Sequence, residues 1–419
     1  MSRRNRLRHF VGDGVWASIC EGAAETNFHS FASTLTPFPQ YISYLSSSQN
    51  FAGCWFQLWS DRLVKLAGGP KPLVLTGVSL QAVTLFLMVF MALSNAGLLP
   101  FMIAMFIFTA LGGLAGPVWN SWIASLLPRR RRGFCYGVRN QRTYPAQFLA
   151  LLVGGGLLQF LTPTATGIKG MQIAFCAVFF LGFAAKLLSL RHLILQPNVP
   201  YNPPARALGP MALLKYSAKN PEIRKAAIFF SAMGFAVTIS GPYQTPFMLK
   251  NLHMGYFPFA AAAAALVLAR FASAAPVGKL VDRIGYEKPL LASSFLMPLI
   301  PLGWTLSTNF IWILMLQVFG GVIWTVFDLA VFNYLSENAS PEHRQRLFSI
   351  RHISWNLAAA AGALLGGLLI SRYDMPMLVF WSSTFARLGA ALFVLPALGL
   401  ISIDMLGRPL ARLRAGLRL

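Results

Sequence analysis

The chain has 419 residues, of which 56% are hydrophobic and only 11% charged, with a mean hydropathy of +0.58. A soluble protein of this length carries roughly 25% charged residues, so the composition excludes a water-soluble domain and points to repeated bilayer crossings of about 20 residues each. The net charge of +23, from 35 Lys and Arg against 12 Asp and Glu, sits on short connections between apolar runs and forms no separate basic module, which excludes nucleic acid as a partner.

Twelve apolar segments follow one another in chain order: 14–37, 40–60, 72–94, 98–124, 139–162, 170–193, 225–249, 255–280, 289–308, 310–335, 347–371 and 376–402. The Arg-rich start, Met1 to Phe10, is not followed by a cleavable signal peptide, because the next stretch carries Asp13, Glu21 and Glu25. It is expected to remain in the mature protein. His9 and Asp13, four apart at the membrane entrance, are read as coincidence. In the first segment Glu21, Glu25 and His29 recur every four residues, which places them on one broad stripe if the helix is continuous. A charge at the bilayer centre costs at least ~2.5–3.5 kcal/mol, so such residues survive only against protein or a wet cavity. Two carboxylates one turn apart in a low dielectric compete to stay charged, so either is a candidate proton carrier. His29 is a candidate relay. The turn Thr36-Pro37-Phe38-Pro39 closes this segment.

Further on, Trp119, Asn120 and Trp122 end the fourth segment, and Pro242, Tyr243, Gln244 and Pro246 interrupt the seventh, where proline breaks a helix and suits a gate. Arg270 falls in the middle of the eighth segment and needs an acid, with Glu25 or Asp328 the candidates. In the tenth, Gln317, Trp324 and Asp328 share one helix face. Lys186 and Arg387 are read as structural pairs or as snorkelling side chains. Cys20, Cys54, Cys135 and Cys176 are scattered, without Cys-x-x-Cys spacing, and are read as buried small residues with no disulfide and no metal site. No cofactor motif is present.

Topology follows from Lys and Arg. The connections 1–13, 61–71, 125–138, 194–224, 281–288, 336–346 and 403–419 hold most of them, including the run Arg129 to Arg132. The alternate connections hold little more than Lys169, Lys250 and Arg372. Both termini are therefore expected in the cytoplasm, with an even number of crossings. The Pro-rich segment 194–224 reads as a linker between residues 1–193 and 225–402, each a six-helix bundle, with 403–419 a basic cytoplasmic tail. An internal repeat supports two halves. Pro128 leads through Arg139 to Gly154-Gly155, and Pro341 leads through Arg351 to Gly366-Gly367, so that 139 and 351 correspond at an offset of 212 residues. Both copies start on the cytoplasmic side, as in a parallel repeat. The fold expected is an all-α membrane protein with twelve transmembrane helices in two pseudo-symmetric bundles.

The segment Gly278-Lys-Leu280-Val-Asp282-Arg283-Ile-Gly285, between the eighth and ninth helices, resembles the cytoplasmic G-x-L-x-D-R-x-G loop of the major facilitator superfamily. Gln57-Leu-Trp-Ser-Asp61-Arg62-Leu-Val-Lys65 keeps the Asp-Arg pair of that motif without its glycines. The resemblance spans nearly the whole chain and is to bacterial members of unassigned substrate. It implies alternating access around a central site lined by helices one, four, seven and ten. It also implies cytoplasmic latches in which Asp61 meets the start of helix eleven and Arg351, and Asp282 meets the start of helix five and Arg139. Arg62, Gly278, Arg283 and Gly285 complete those loops. The expected activity is proton-coupled secondary transport of a small molecule by a monomer in lipid, in the bacterial inner membrane. The competing readings are a membrane-embedded transferase and a non-transporting assembly factor. No H-E-x-x-H, G-x-S-x-G or P-loop pattern supports an enzyme or an ATP-driven pump.

Overall fold

In a computed structural model of the chain, the residues described are 3–57, 59–94, 96–126, 132–164, 168–198, 215, 219–337 and 344–399. The basic run from Arg129, most of the 194–224 linker, the Pro341 start of the second repeat and the 403–419 tail lie outside them. Everything regular among the described residues is helical. The first half comprises α1 (Arg3–Ala23), α2 (Phe28–Leu35), α3 (Gln40–Gln57), α4 (Ser60–Leu66), α5 (Pro70–Ser94), α6 (Leu98–Leu126), α7 (Arg132–Thr164) and α8 (Ile168–Ile194). The second comprises α9 (Pro221–Ser240), α10 (Tyr256–Ile284), α11 (Glu287–Leu296), α12 (Leu299–Leu306), α13 (Phe310–Glu337), α14 (Arg344–Tyr373), α15 (Pro376–Leu392) and α16 (Val394–Ala397).

Nine helical stretches among the described residues are long and apolar enough to cross a membrane. Their outer faces are apolar as well: Leu80, Val83, Leu87 and Phe90 of α5 are all exposed. Only lipid stabilises such a surface. The chain is a multi-pass membrane protein. The three remaining predicted crossings have particular reasons to fall short. The first is broken between α1 and α2, the second carries Ser46-Ser47-Ser48-Gln49-Asn50 in α3, and the last divides into α15, of 17 residues, and α16.

The break in the first crossing comes from polar side chains that capture backbone carbonyls. Thr26 Oγ1 donates to the Glu21 carbonyl (3.0 Å) and Asn27 Nδ2 to the Ala23 carbonyl (2.7 Å), and residues Glu25–Asn27 tighten into a 3₁₀ turn. After α9 the cause is proline. Pro242 sits in the 3₁₀ turn Gly241–Tyr243, and Pro246 precedes the π-helical turn Phe247–Asn251.

Packing sorts by half. In the first, α1 lies against α7 and α8, α5 against α6 and α8, and α3 against α6. In the second, α9 lies against α14 and α15, α13 against α10 and α11, and α12 against α15. The aromatic core around Phe28, Phe31, Phe101 and Phe179 belongs to the first half. The core around Phe229, Phe230, Phe327 and Tyr334 belongs to the second.

Two long seams join the halves, α3 on α14 and α7 on α10, and the glycines of the sequence repeat build them. A Cβ on Gly154 would lie 3.2 Å from the Ala23 carbonyl of the same half, whereas one on Gly155 would lie 2.2 Å from Ala260 Cβ in the other half. In the second copy, a Cβ on Gly366 would lie 2.1 Å from the Ile239 carbonyl of its own half, and one on Gly367 would lie 2.9 Å from Tyr44 across the seam. Each pair therefore uses its first glycine within a half and its second between halves.

The ends of the two halves that carry Thr36 and Lys250 are tied together. Lys250 Nζ donates to the Thr36 carbonyl at the end of α2 (2.6 Å), and Ser47 Oγ donates to the Ala360 carbonyl (2.8 Å). The Phe257 N–H donates to Gln159 Oε1 (3.4 Å), and the Tyr256 ring meets Phe175 edge-on.

Candidate functional site

Three groups of charged side chains lie among the helices. In the first, the 3₁₀ turn aims Glu25 at Lys186 of α8, with Nζ to Oε1 at 3.5 Å. Lys186 is buried, with its ammonium 5.1 Å from the Phe108 ring centroid, and Cys20 Sγ donates to the same carboxylate at 3.6 Å. Glu21 does not share this pairing. It is exposed, beside Gln147 of α7 and within electrostatic reach of Glu25, Lys186 and, from the other half, Arg270. The stripe expected from a continuous helix is therefore divided. Glu21 is exposed within reach of Arg270 of the other half, Glu25 turns to α8, and His29 on α2 is half-buried with an unpartnered Nε2.

The second group joins α10, α13 and α14. Arg270 pairs with Asp328, one of the two acids the sequence offered, through Nη2 and Oδ2, and their side chains stay 35% and 39% exposed. Charges this deep and this accessible face water, because lipid would make them prohibitively costly. Arg351 stands within electrostatic reach of Asp328, its guanidinium 5.9 Å from the Phe230 ring and 5.5 Å from the Trp355 ring. Trp324 packs against Trp355 and Phe327 at 6.2 and 6.0 Å. Gln317, two turns earlier on α13, is buried.

The third group was not singled out in the sequence. Asp13 is buried, 3.7 Å from Arg139 Nη2, and accepts from Ser189 Oγ at 2.7 Å. The Arg139 guanidinium lies 4.7 Å from the Trp119 ring and 5.3 Å from Phe10. A Cβ on Gly14 would come 2.4 Å from Arg139 Nε, so the glycine makes room for it. The signal available was the Gly12-Asp13-Gly14 triplet at the head of an apolar helix. Arg139, expected opposite Asp282, rests on Asp13 here. Asp282 and Arg283 are exposed at the end of α10, and among the described residues Asp282 makes no ion pair. Gly278 lies within that last stretch of α10, and Gly285 ends it at φ +79°, a conformation that favours glycine. Arg62 is exposed with its guanidinium 5.0 Å from the Trp59 ring. The side chain of Asp61 lies outside what is described. Among the described residues no three His, Cys, Asp or Glu side chains group as metal ligands.

These features define a polytopic α-helical membrane protein with accessible charges in its interior. Residues 226–412 match the sequence model of the Major Facilitator Superfamily. Its fold agrees with three solved structures at low identity. A D-xylose-proton symporter is 15% identical with a TM-score of 0.70, over 93% of this chain and 96% of that one. The nucleoside transporter NupG is 11% identical with a TM-score of 0.68, over 96% and 100%. The transporter FucP in the outward conformation is 13% identical with a TM-score of 0.62, over 94% and 99%. No curated protein matches the chain by sequence.

Proposed function

We propose that the chain is a secondary active transporter that moves a small polar molecule across the inner membrane by alternating access, coupled to protons. Its twelve crossings form two six-helix bundles, residues 1–193 and 225–402, joined by a cytoplasmic linker with both termini inside. The division of the cores by half and the matched glycine pairs support the two bundles. With the basic connections inside, the tied Lys250 end is the outer one, and the structure corresponds to an outward-closed state. Arg139 then exchanges Asp13 for Asp282, and Arg351 approaches Asp61, when the cytoplasmic side closes.

One observation carries this reading. Glu21 from the first half and the Arg270–Asp328 pair from the second stand accessible, within electrostatic reach of each other, deep inside apolar helices. Glu21 is the proton site, because Glu25 is held by Lys186. Arg270, Asp328 and the Trp324 surface hold the substrate by charge, hydrogen bonds and ring contact. Purified protein in proteoliposomes, offered a panel beginning with nucleosides and pentoses, is expected to accumulate one of them under an imposed proton gradient. Glu21→Gln is expected to retain downhill exchange and lose accumulation. No transport of any compound by folded protein would favour the enzyme or assembly-factor readings.

A further inference from the structure

A basic patch lies apart from the transport path, at the ends of α1 and α8 on the side of Asp282. His9 of α1 meets His192 of α8, Arg8 and Arg191 stand within electrostatic reach of both rings, and Lys71 of α5 is bonded to the end of α8. His9 Nδ1 lies 3.0 Å from His192 Nδ1, so one imidazole donates and the other accepts, with the rings 5.3 Å apart. A Cβ at position 12 would come within 2.6 Å of the His192 ring, so Gly12 opens the space that ring occupies. Lys71 Nζ donates to the carbonyls of Ile194 (2.9 Å) and Gln196 (2.6 Å) and fixes the last turn of α8. Among the described residues no carboxylate pairs with any of these five groups. Burial, and then the positive charges of Arg8 and Arg191, hold His9 below the usual imidazole range. Every charge acting on it is positive.

Beside Arg191 the outer face of α8 carries a shallow, open concavity of about 280 Å³, lined by Leu187, Leu190, Arg191, Ile194 and Leu195 of that helix alone. Leu187, Ile194 and Leu195 are exposed. An apolar helix face that ends at the Arg191 guanidinium, with Arg8 nearby across the His9–His192 contact, complements one chemistry, an acyl chain that ends in a phosphate.

The geometry points to a binding site for an anionic phospholipid, with its phosphate between Arg8 and Arg191 and one acyl chain along this face of α8. A zwitterionic lipid fits the face but adds its own cation to a patch that already lacks an anion. The lipid would brace α1 against α8, the helix pair that carries Asp13 and Glu25 against Ser189 and Lys186. The site does not depend on the transport reading.

The test uses the full-length protein in detergent, with phosphatidylglycerol and phosphatidylcholine of identical chains followed by native mass spectrometry and thermal-shift titration. Phosphatidylglycerol is expected to stay bound and to raise the melting temperature at lower concentration than phosphatidylcholine does. The double variant Arg8→Gln/Arg191→Gln is expected to lose roughly 10- to 30-fold in apparent affinity, as follows from two basic side chains at an anionic surface. Leu187→Trp, on an exposed position, fills the concavity and is expected to weaken phosphatidylglycerol while leaving the ligand-free melting temperature in place. Equal binding of the two lipids, or an unchanged double variant, would overturn the proposal. So would inorganic phosphate alone reproducing the stabilisation, since that describes a phosphate site without a lipid.

Discussion

Replacing Gly155 by alanine tests the seam between the halves directly. The new Cβ lies 2.2 Å from that of Ala260 and 3.0 Å from the Tyr256 carbonyl. Carbon atoms rest about 3.5–4.0 Å apart, so α7 and α10 must part by roughly 1.5 Å here or abandon the contact. Overpacking of this kind costs about 1–3 kcal/mol. In the proposed cycle the penalty falls on the outward-closed state alone. Tenfold per 1.4 kcal/mol makes this a shift of roughly 5- to 150-fold toward the outward-open state. Gly154→Ala is the control, because its new Cβ meets the Ala23 carbonyl of the same half at 3.2 Å and travels with it in both states. The helix-propensity gain of about 0.5–1 kcal/mol from glycine to alanine is common to both variants and cancels. The assay is the spin-label distance between cysteines at Phe38 and Tyr373, exposed positions on opposite halves near the Lys250 end, with Cys176 changed to Ser. Gly155→Ala is expected to populate a longer distance that Gly154→Ala does not. Identical distributions for the two variants would refute the claim that this seam opens.

Lys250→Met removes a charged hydrogen bond to the Thr36 carbonyl, worth about 1.5–3 kcal/mol, and is expected to lengthen the same spin-label distance. Lys186→Ala strands Glu25. Breaking a buried pair costs about 3–5 kcal/mol, but Glu25 is 31% exposed, so the thermal-shift loss should fall below that range, and Lys186→Met/Glu25→Gln should recover most of it. Arg270→Gln and Asp328→Asn are each expected to reduce transport at least tenfold. The neutral double variant should restore expression without restoring transport, and full transport by it would make the pair purely structural.

Much of this architecture was legible because lipid imposes a strong constraint on sequence: long apolar runs, basic connections and a repeated glycine pair are each visible without coordinates. Arg270 and its acid were legible for the same reason, since an intramembrane charge needs a partner and only a few were on offer. The break after Ala23 was not legible. It depends on Thr26 and Asn27 side chains competing with the backbone, which spacing arguments ignore, and it divides Glu21 from Glu25. Lys186, read as a structural pair or a snorkelling side chain, is paired, but its partner was not legible because Glu25 turns toward it only through the 3₁₀ turn. Asp13, four residues from His9, was read as coincidence because its partners, Arg139 and Ser189, are more than a hundred residues away in the chain.

The measurement that bears most directly on the central claim is the reactivity of Glu21→Cys, in a Cys176→Ser background, toward a membrane-impermeant thiol reagent applied to each side of sealed vesicles. Reaction from the Asp282 side in the otherwise unaltered chain, and from the opposite side once Gly155→Ala is added, is the predicted result. A cysteine that reacts with a lipid-permeant reagent and with the impermeant one from neither side would place residue 21 against acyl chains and contradict the account.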